Sequence, residues 1–181
     1  HNYGKYILKS INSVLQQSYK NFELIIIDDF SSDNSKDIID KFNNHKKVRI
    51  IYNKKKFGLI KSANISIKAS KGEYILRLDA DDFLHKNALQ ILLNEIVKKR
   101  DIALVYSDYY SVDEKNSVLS LNKQFFVGSK KYLNQKVPHG ACSLIRKNIL
   151  FDVGLYDENL DRQDGYDIWY KISNLYKIIH V

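Results

Sequence analysis

Two hydrophobic periods alternate along this chain. Between Tyr6 and Leu15, Ile7, Ile11, Val14 and Leu15 recur at helical spacing. Phe22 to Ile27 is an apolar run too short for a helix and reads as a buried strand. Asp28 and Asp29 close it, and Ser31, Ser32, Asp33, Asn34 and Ser35 follow, all residue types that cap helix N-termini. Ile38, Ile39 and Phe42 then mark a second helix, and Val48 to Tyr52 the next strand. Gly58 precedes a third helix with Leu59, Ala63 and Ile67 on one face. Gly72 opens a short strand of Tyr74, Ile75, Leu76 and Leu78. A helix carrying Leu89, Leu92, Leu93 and Ile96 comes next, then a strand from Ile102 to Tyr106.

Strand–helix alternation of this kind predicts an α/β domain whose mainly parallel central sheet is flanked by helices. The pattern loosens after Ser107. Asp113 to Asn116 looks like a turn, Ser120 to Gln135 has no clean period, and an antiparallel element is expected in this second half. Pro138 introduces His139, Gly140 and Ala141. Cys142 to Ile145 is strand-like, Asn148 to Val153 resembles a short helix ended by Gly154, and Asp164 to Leu175 is a helix with Ile168, Trp169 and Ile172 facing inward. Ile178 to Val181 begins a further strand.

The chemistry concentrates where strands end. Asp79, Asp81 and Asp82 directly follow the Gly72 strand, and Asp28 and Asp29 close an earlier one. In a parallel sheet both groups lie on the carboxyl edge, where open α/β sheets bind ligands. Clustered carboxylates repel one another unless a positive charge sits between them. A hard divalent cation, Mg²⁺ or Mn²⁺, satisfies that demand and keeps positions open for substrate phosphates. An Asp-x-Asp alone is a weak signal, more often a solvated turn that caps the next helix. Two acidic groups on one edge, with the cap-rich Ser31 to Ser35 beside the first, point to a nucleotide site built around a metal.

Composition narrows the partners. A chain of 181 residues is long enough for one domain with a real core. The net charge of +8 favours anionic partners. Its basic residues are scattered, with clusters only at Lys54 to Lys56 and Lys98 to Arg100, and no nucleic-acid motif accompanies them. No apolar stretch approaches the roughly 20 residues of a membrane span. A single cysteine, Cys142, forms no disulfide within the chain and fits a reducing compartment. A cytoplasmic location is expected, with peripheral association at the inner face of a membrane left open.

The sequence resembles a family 2 glycosyltransferase with the nucleotide-diphospho-sugar (GT-A) fold. The matching stretches are Ser13 to Tyr19, Phe22 to Ser35, Gly58 and Asn64, Gly72 to Ile75, Leu78 to Asp82, Gly154 to Glu158, and Gln163 to Trp169. Each is weak alone, and their order and spacing make the resemblance specific over nearly the whole chain. It implies a single catalytic domain, with residues 1–106 as the nucleotide-binding half and residues 107–181 as the acceptor-binding half. It implies that Asp29 receives the N3–H of a uracil-type base, that Asp79 lies near ribose and metal, and that Asp81 ligates Mn²⁺ or Mg²⁺. Asp164 stands where the family has its catalytic base, with Asp167 as the alternative. The implied reaction is single displacement with inversion, moving a sugar from a nucleotide-diphospho-sugar, UDP-linked, to a glycan or lipid-linked acceptor, as in cell-surface polysaccharide synthesis.

Some positions depart from the family pattern. The usual first strand is absent, because the chain opens about where it should end, at Asn2-Tyr3, and a C-terminal extension is also expected to be missing. Gln163 replaces a common Glu, and Gly165 adds a residue before Asp167. Ala63 stands where relatives often have Arg, so phosphate contacts are expected to pass to Lys61 or elsewhere. His139 and Gly140 are candidates for the acceptor pocket, and His180 for a third metal ligand, although lone histidines are usually structural. Asp28 and Asp82 also read as caps, and Trp169 as core. Among rivals, a haloacid-dehalogenase-type phosphotransferase expects Ser or Thr where Phe83 stands, and a receiver domain leaves the Asp79 group without a role. A non-catalytic nucleotide-binding or scaffolding GT-A domain differs from the enzyme by lacking turnover.

Overall fold

The computed structural model describes residues 1–124, 140, 142–160 and 164–181, the side chains of Asp164 and Gly165 excepted. Pro138, His139, Ala141 and Gln163 lie outside the described residues. The first half runs α1 (Ile7–Leu15), β1 (Leu24–Asp28), α2 (Ser35–Asp40), β2 (Val48–Tyr52), α3 (Leu59–Ala69), β3 (Tyr74–Leu76), α4 (Ala88–Ile96) and β4 (Ile102–Tyr106). The second half runs β5 (Tyr109–Val112), β6 (Val118–Asn122), β7 (Ser143–Arg146), α5 (Lys147–Asp152), α6 (Asp164–Ser173) and β8 (Lys177–His180).

β1 and β2 pair in parallel, from Leu24 opposite Val48 to Asp28 opposite Tyr52. A four-stranded sheet has the order β3-β7-β4-β8, with β7 antiparallel to both its neighbours and β8 parallel to β4. β5 and β6 form a hairpin around the expected turn, where Asp113 Oδ1 accepts the N–H groups of Lys115 and Ser117 at 2.8 Å each. The mixed α/β architecture with parallel and antiparallel parts is therefore the expected one. Its central sheet, however, comes in two pieces: a groove rather than hydrogen bonds separates β1 from β3. Periodicity reports which residues are apolar, not which way a strand's neighbour runs, so the antiparallel pairing of β3 with β7 was invisible to it.

That groove also changes the reading of Phe22 to Ile27 as a buried strand. Within β1, Ile26 and Asp28 are buried, while Ile25 and Ile27 are half-buried and line the groove. In α3 the inward face is turned by one residue: Ile60 and Ile67 are buried, and Leu59 is 51% exposed.

The main core packs against both faces of the four-stranded sheet. Leu104, Tyr106 and Ile145 meet Ile149, Leu150, Ile168, Trp169 and Ile172 on one face, while Ile102, Val105 and Leu144 meet Leu92 and Ile96 on the other. All five residues of β4 are buried, as a strand covered on both faces requires. Trp169 is core, its ring edge-on to Tyr106 with centroids 4.7 Å apart. A smaller cluster of Ile11, Ile26 and Ile39 joins α1 and α2 to the β1–β2 pair. Among the described residues, no helix is long and apolar enough to cross a membrane.

Candidate active site

The acidic groups converge. Asp29, Asp79 and Asp81 line one cavity of about 1270 Å³, which opens at the carboxyl ends of β1 and β3 and continues into the groove between them. Tyr3, Gly58, Ser62, Ala63 and Arg77 share its wall.

Asp29 is built into the protein by its acceptors. Oδ1 accepts the Asn53 amide and the Phe57 N–H, and Oδ2 the Gly58 N–H, each at 2.8 Å. The loop from β2 to α3 is thus wrapped on one carboxylate, and Gly58 follows it at φ +86°, a left-handed conformation that favours glycine. Burial pushes the Asp29 carboxyl up, but the Phe57 N–H, the Asn53 amide and the Gly58 N–H together hold it below its ordinary 3.8. A depressed folded-state value contributes stability above the ordinary value, and that stability drains away as pH falls from there toward the folded one. Asp29→Asn should cost about 2–3 kcal/mol near neutrality, because an amide nitrogen would face an N–H that now meets an oxygen. It should also flatten the loss of stability below about pH 4. Urea midpoints measured across that range check both effects. Asp28, by contrast, accepts the Ser31 N–H at 3.1 Å and closes the turn before α2, which is the capping role.

The loop that carries Asp79 and Asp81 is held from α1. Ser10 Oγ donates to the Asp79 carbonyl at 3.3 Å, and the Leu84 N–H donates to Ser13 Oγ at 3.0 Å. Gln17, fully buried, donates to the Ser13 and His85 carbonyls at 3.0 and 2.8 Å and accepts the Leu89 N–H at 3.0 Å. These bonds explain why Ser13 and Gln17 belong to one sequence signature: Ser13 in the last turns of α1 and Gln17 just past its end both reach the same loop. Gln17→Ala would remove the side-chain partner of the Ser13 carbonyl and of the Leu89 N–H, while the His85 carbonyl keeps the Ala88 N–H, and a loss of about 1–3 kcal/mol is expected in denaturant unfolding.

The donor set fits a hard divalent cation. Asp79 and Asp81 offer carboxylate oxygen, and their negative field reaches Tyr3, whose hydroxyl is pushed up chiefly by Asp81, then by burial and Asp79. Arg77 Nε lies 3.3 Å from Asp79 Oδ1. His180 Nε2 meets Asp108 Oδ1 at 2.7 Å, so the imidazole already has a carboxylate partner. Among the described residues, no three His, Cys, Asp or Glu side chains form a ready metal cluster.

Lys61 sits at the first turn of α3 with its ammonium 3.8 Å from Glu158 Oε2. Asn64 fixes the same loop: its amide donates to the Tyr156 carbonyl at 2.9 Å and to Glu158 Oε1 at 3.0 Å. Asp167 is committed to architecture, since its Oδ2 accepts the Asp157 N–H at 2.9 Å and the Lys171 ammonium at 2.8 Å. Asp164 opens α6 one turn earlier. Gly140 is half-buried and His139 lies outside the described residues. Sequence reasoning missed Tyr3, Gln17 and Arg77. For Arg77 a signal existed, because residues two apart on an extended chain point the same way, and Arg77 is two before Asp79.

Known proteins resemble the chain in sequence and in fold. The chain is 34% identical over 133 residues to the glycosyltransferase GlyG of Streptococcus pneumoniae, an alignment covering 73% of this chain and 42% of that protein. Its fold matches TarS residues 1–349 from S. aureus, solved in complex with UDP, with a TM-score of 0.79 at 21% identity, over 100% of this chain and 55% of that one. It also matches the mannosyltransferase PcManGT of Pyrobaculum calidifontis, solved with GDP-Man and Mn²⁺, with a TM-score of 0.75 at 14% identity, over 100% of this chain and 52% of that one. The chain thus spans less than two thirds of each. The family model described as glycosyl transferase family 2 matches residues 1–154, and the chain belongs to that family.

Proposed function

We propose that this chain is the catalytic domain of an inverting, metal-dependent glycosyltransferase that moves a sugar from a UDP-linked donor to a hydroxyl of a glycan or lipid-linked acceptor. The observation that carries the reading is the convergence of Asp29, Asp79 and Asp81 on one cavity at the strand ends. Residues 1–106 form the nucleotide half in this reading, and residues 107–181 the acceptor half, including Gly140 and His139. Asp29 Oδ2 has a single donor, which leaves it room to accept the N3–H of a uracil-type base. Asp79 and Asp81 hold Mn²⁺ or Mg²⁺, which when bound supplies positive charge to the departing diphosphate. Asp164, on the rigid α6, takes the proton of the acceptor hydroxyl as that oxygen attacks the anomeric carbon opposite the diphosphate. Lys61 serves the phosphates only by leaving Glu158.

Support for a divalent cation and a nucleotide-sugar comes from PcManGT and TarS, whose structures hold GDP-Man with Mn²⁺ and UDP. Calorimetry with UDP, with and without Mn²⁺, tests the donor half of the reading. Tight binding that requires the metal is expected, and metal-independent or absent binding would overturn it. Turnover of the UDP-sugar then separates an enzyme from a binding module.

A further inference from the structure

We propose that the β5–β6 hairpin docks on an anionic lipid surface, with its apolar stripe seated among the headgroups and the lysines around it on their phosphates. Alternate residues of a strand share a face. Tyr110 stands opposite Leu121, and Leu119 lies two residues before Leu121, so these three form one stripe. A register shift between Ser111 and Val112 brings Val118 opposite Val112 beside it. The other face is polar: Asn122 Nδ2 donates to Ser111 Oγ at 2.8 Å and to Ser120 Oγ at 3.2 Å. Burial runs against this division. Ser111 and Asn122 are half-buried, whereas Leu119, Tyr110, Val118 and Leu121 are 67%, 63%, 62% and 46% exposed. A hairpin that turns its apolar side to solvent marks an interaction surface.

Size and charge select a lipid surface as the occupant. The stripe is two strands wide and offers a few hundred Å², well short of the roughly 800 Å² per partner that a stable protein interface buries. Shallow insertion at a bilayer surface needs only a few apolar side chains when basic residues add their attraction to anionic headgroups. Those basic residues are present. Lys115 and Lys123 flank β6, both exposed. Lys5 pairs with Glu114 at 2.7 Å, and Lys9 donates to Asn116, so two more lysines meet the turn. The four lysines outnumber the two carboxylates of the hairpin, Asp113 and Glu114. A second copy would set this basic rim against itself. Tyr110 adds a ring with a polar hydroxyl, a combination favoured at membrane interfaces. β3 and β4 both run antiparallel to β7, so the hairpin leaves β4 at the sheet edge where β3 delivers Asp79.

Flotation of the wild-type chain with vesicles tests this, first with phosphatidylcholine alone and then with phosphatidylcholine mixed with phosphatidylglycerol. Wild type should float with the mixed vesicles and not with phosphatidylcholine alone, and added salt should release it. Tyr110→Ser, Leu119→Ser and Leu121→Ser combined should weaken binding about tenfold or more, and Lys115→Glu with Lys123→Glu should do the same. Leu119→Trp keeps the stripe apolar and guards against a serine variant that fails to fold; its emission should shift to the blue on the mixed vesicles alone. A wild type that ignores the mixed vesicles would overturn the proposal. So would a loss on the lysine changes with none on the serine changes, the mark of unspecific adsorption. A concentration-dependent dimer that the serine variant abolishes would give the face to a second copy instead. UDP plays no part in any arm, so failure here leaves the proposed function standing.

Discussion

Asp81→Ala is expected to abolish metal-dependent UDP binding while leaving the fold intact. Asp81 is exposed in a loop whose anchoring falls to other residues: Ser10 bonds the Asp79 carbonyl, Ser13 the Leu84 N–H, and Gln17 the His85 carbonyl and Leu89 N–H. Removing its carboxylate therefore changes charge and ligation with little structural cost, and surface changes of this kind usually stay within about 0.5 kcal/mol. Binding should suffer far more, because in the proposed site a cation would link two otherwise repelling partners, the acidic loop and the diphosphate. Losing one of the two proposed ligands should weaken UDP at least 100-fold, on the order of 3 kcal/mol. Calorimetry at fixed Mn²⁺ with a thermal melt beside it makes the measurement. Unchanged UDP affinity would remove Asp81 from the site.

Asp164→Asn should retain UDP binding and lose about 10²–10⁴-fold in transfer, the range typical of general base catalysis. The variant is nearly isosteric, so its effect should fall on turnover rather than on KM, as for a group that acts only in the transition state. Asp167→Asn offers the contrast. Its carboxylate ties the Asp157 N–H to Lys171, and Lys171 in turn donates to the Leu155 carbonyl at 2.9 Å. Disturbing that clamp should cost about 1–3 kcal/mol in stability and much less in activity. Initial rates with a UDP-sugar and acceptor, read beside melting curves of both variants, decide between them. A wild-type rate in Asp164→Asn with a collapse in Asp167→Asn would reverse the two roles.

Much of this was legible because it is local. β2 and β4 run from Val48 to Tyr52 and from Ile102 to Tyr106, the bounds that their apolar runs mark, and the inward face of α6 is Ile168, Trp169 and Ile172 as its spacing predicts. The acidic strand ends were readable for the same reason. Long-range choices were not readable. Nothing in the three-residue β3 says that its partner is the antiparallel β7. Gln17 reads as an ordinary polar helix terminus until the Asp79 to Leu89 loop folds onto it. Tyr3 reads as a surface aromatic, and only the fold sets it beside two carboxylates distant in sequence. Lys61 looked available because Glu158, almost a hundred positions away, was not in view.

The burial of β4 on both faces has a consequence for cooperativity. All five of its residues are buried, and β7 and β8 pair with its two edges, so its amides can exchange only when the larger sheet itself opens. The β5–β6 hairpin pairs only with itself and is largely exposed, so it can open without breaking that sheet. Amide hydrogens of Ile102 to Tyr106 should therefore be among the last to exchange, and those of Tyr109 to Val112, only three residues further along the chain, among the first.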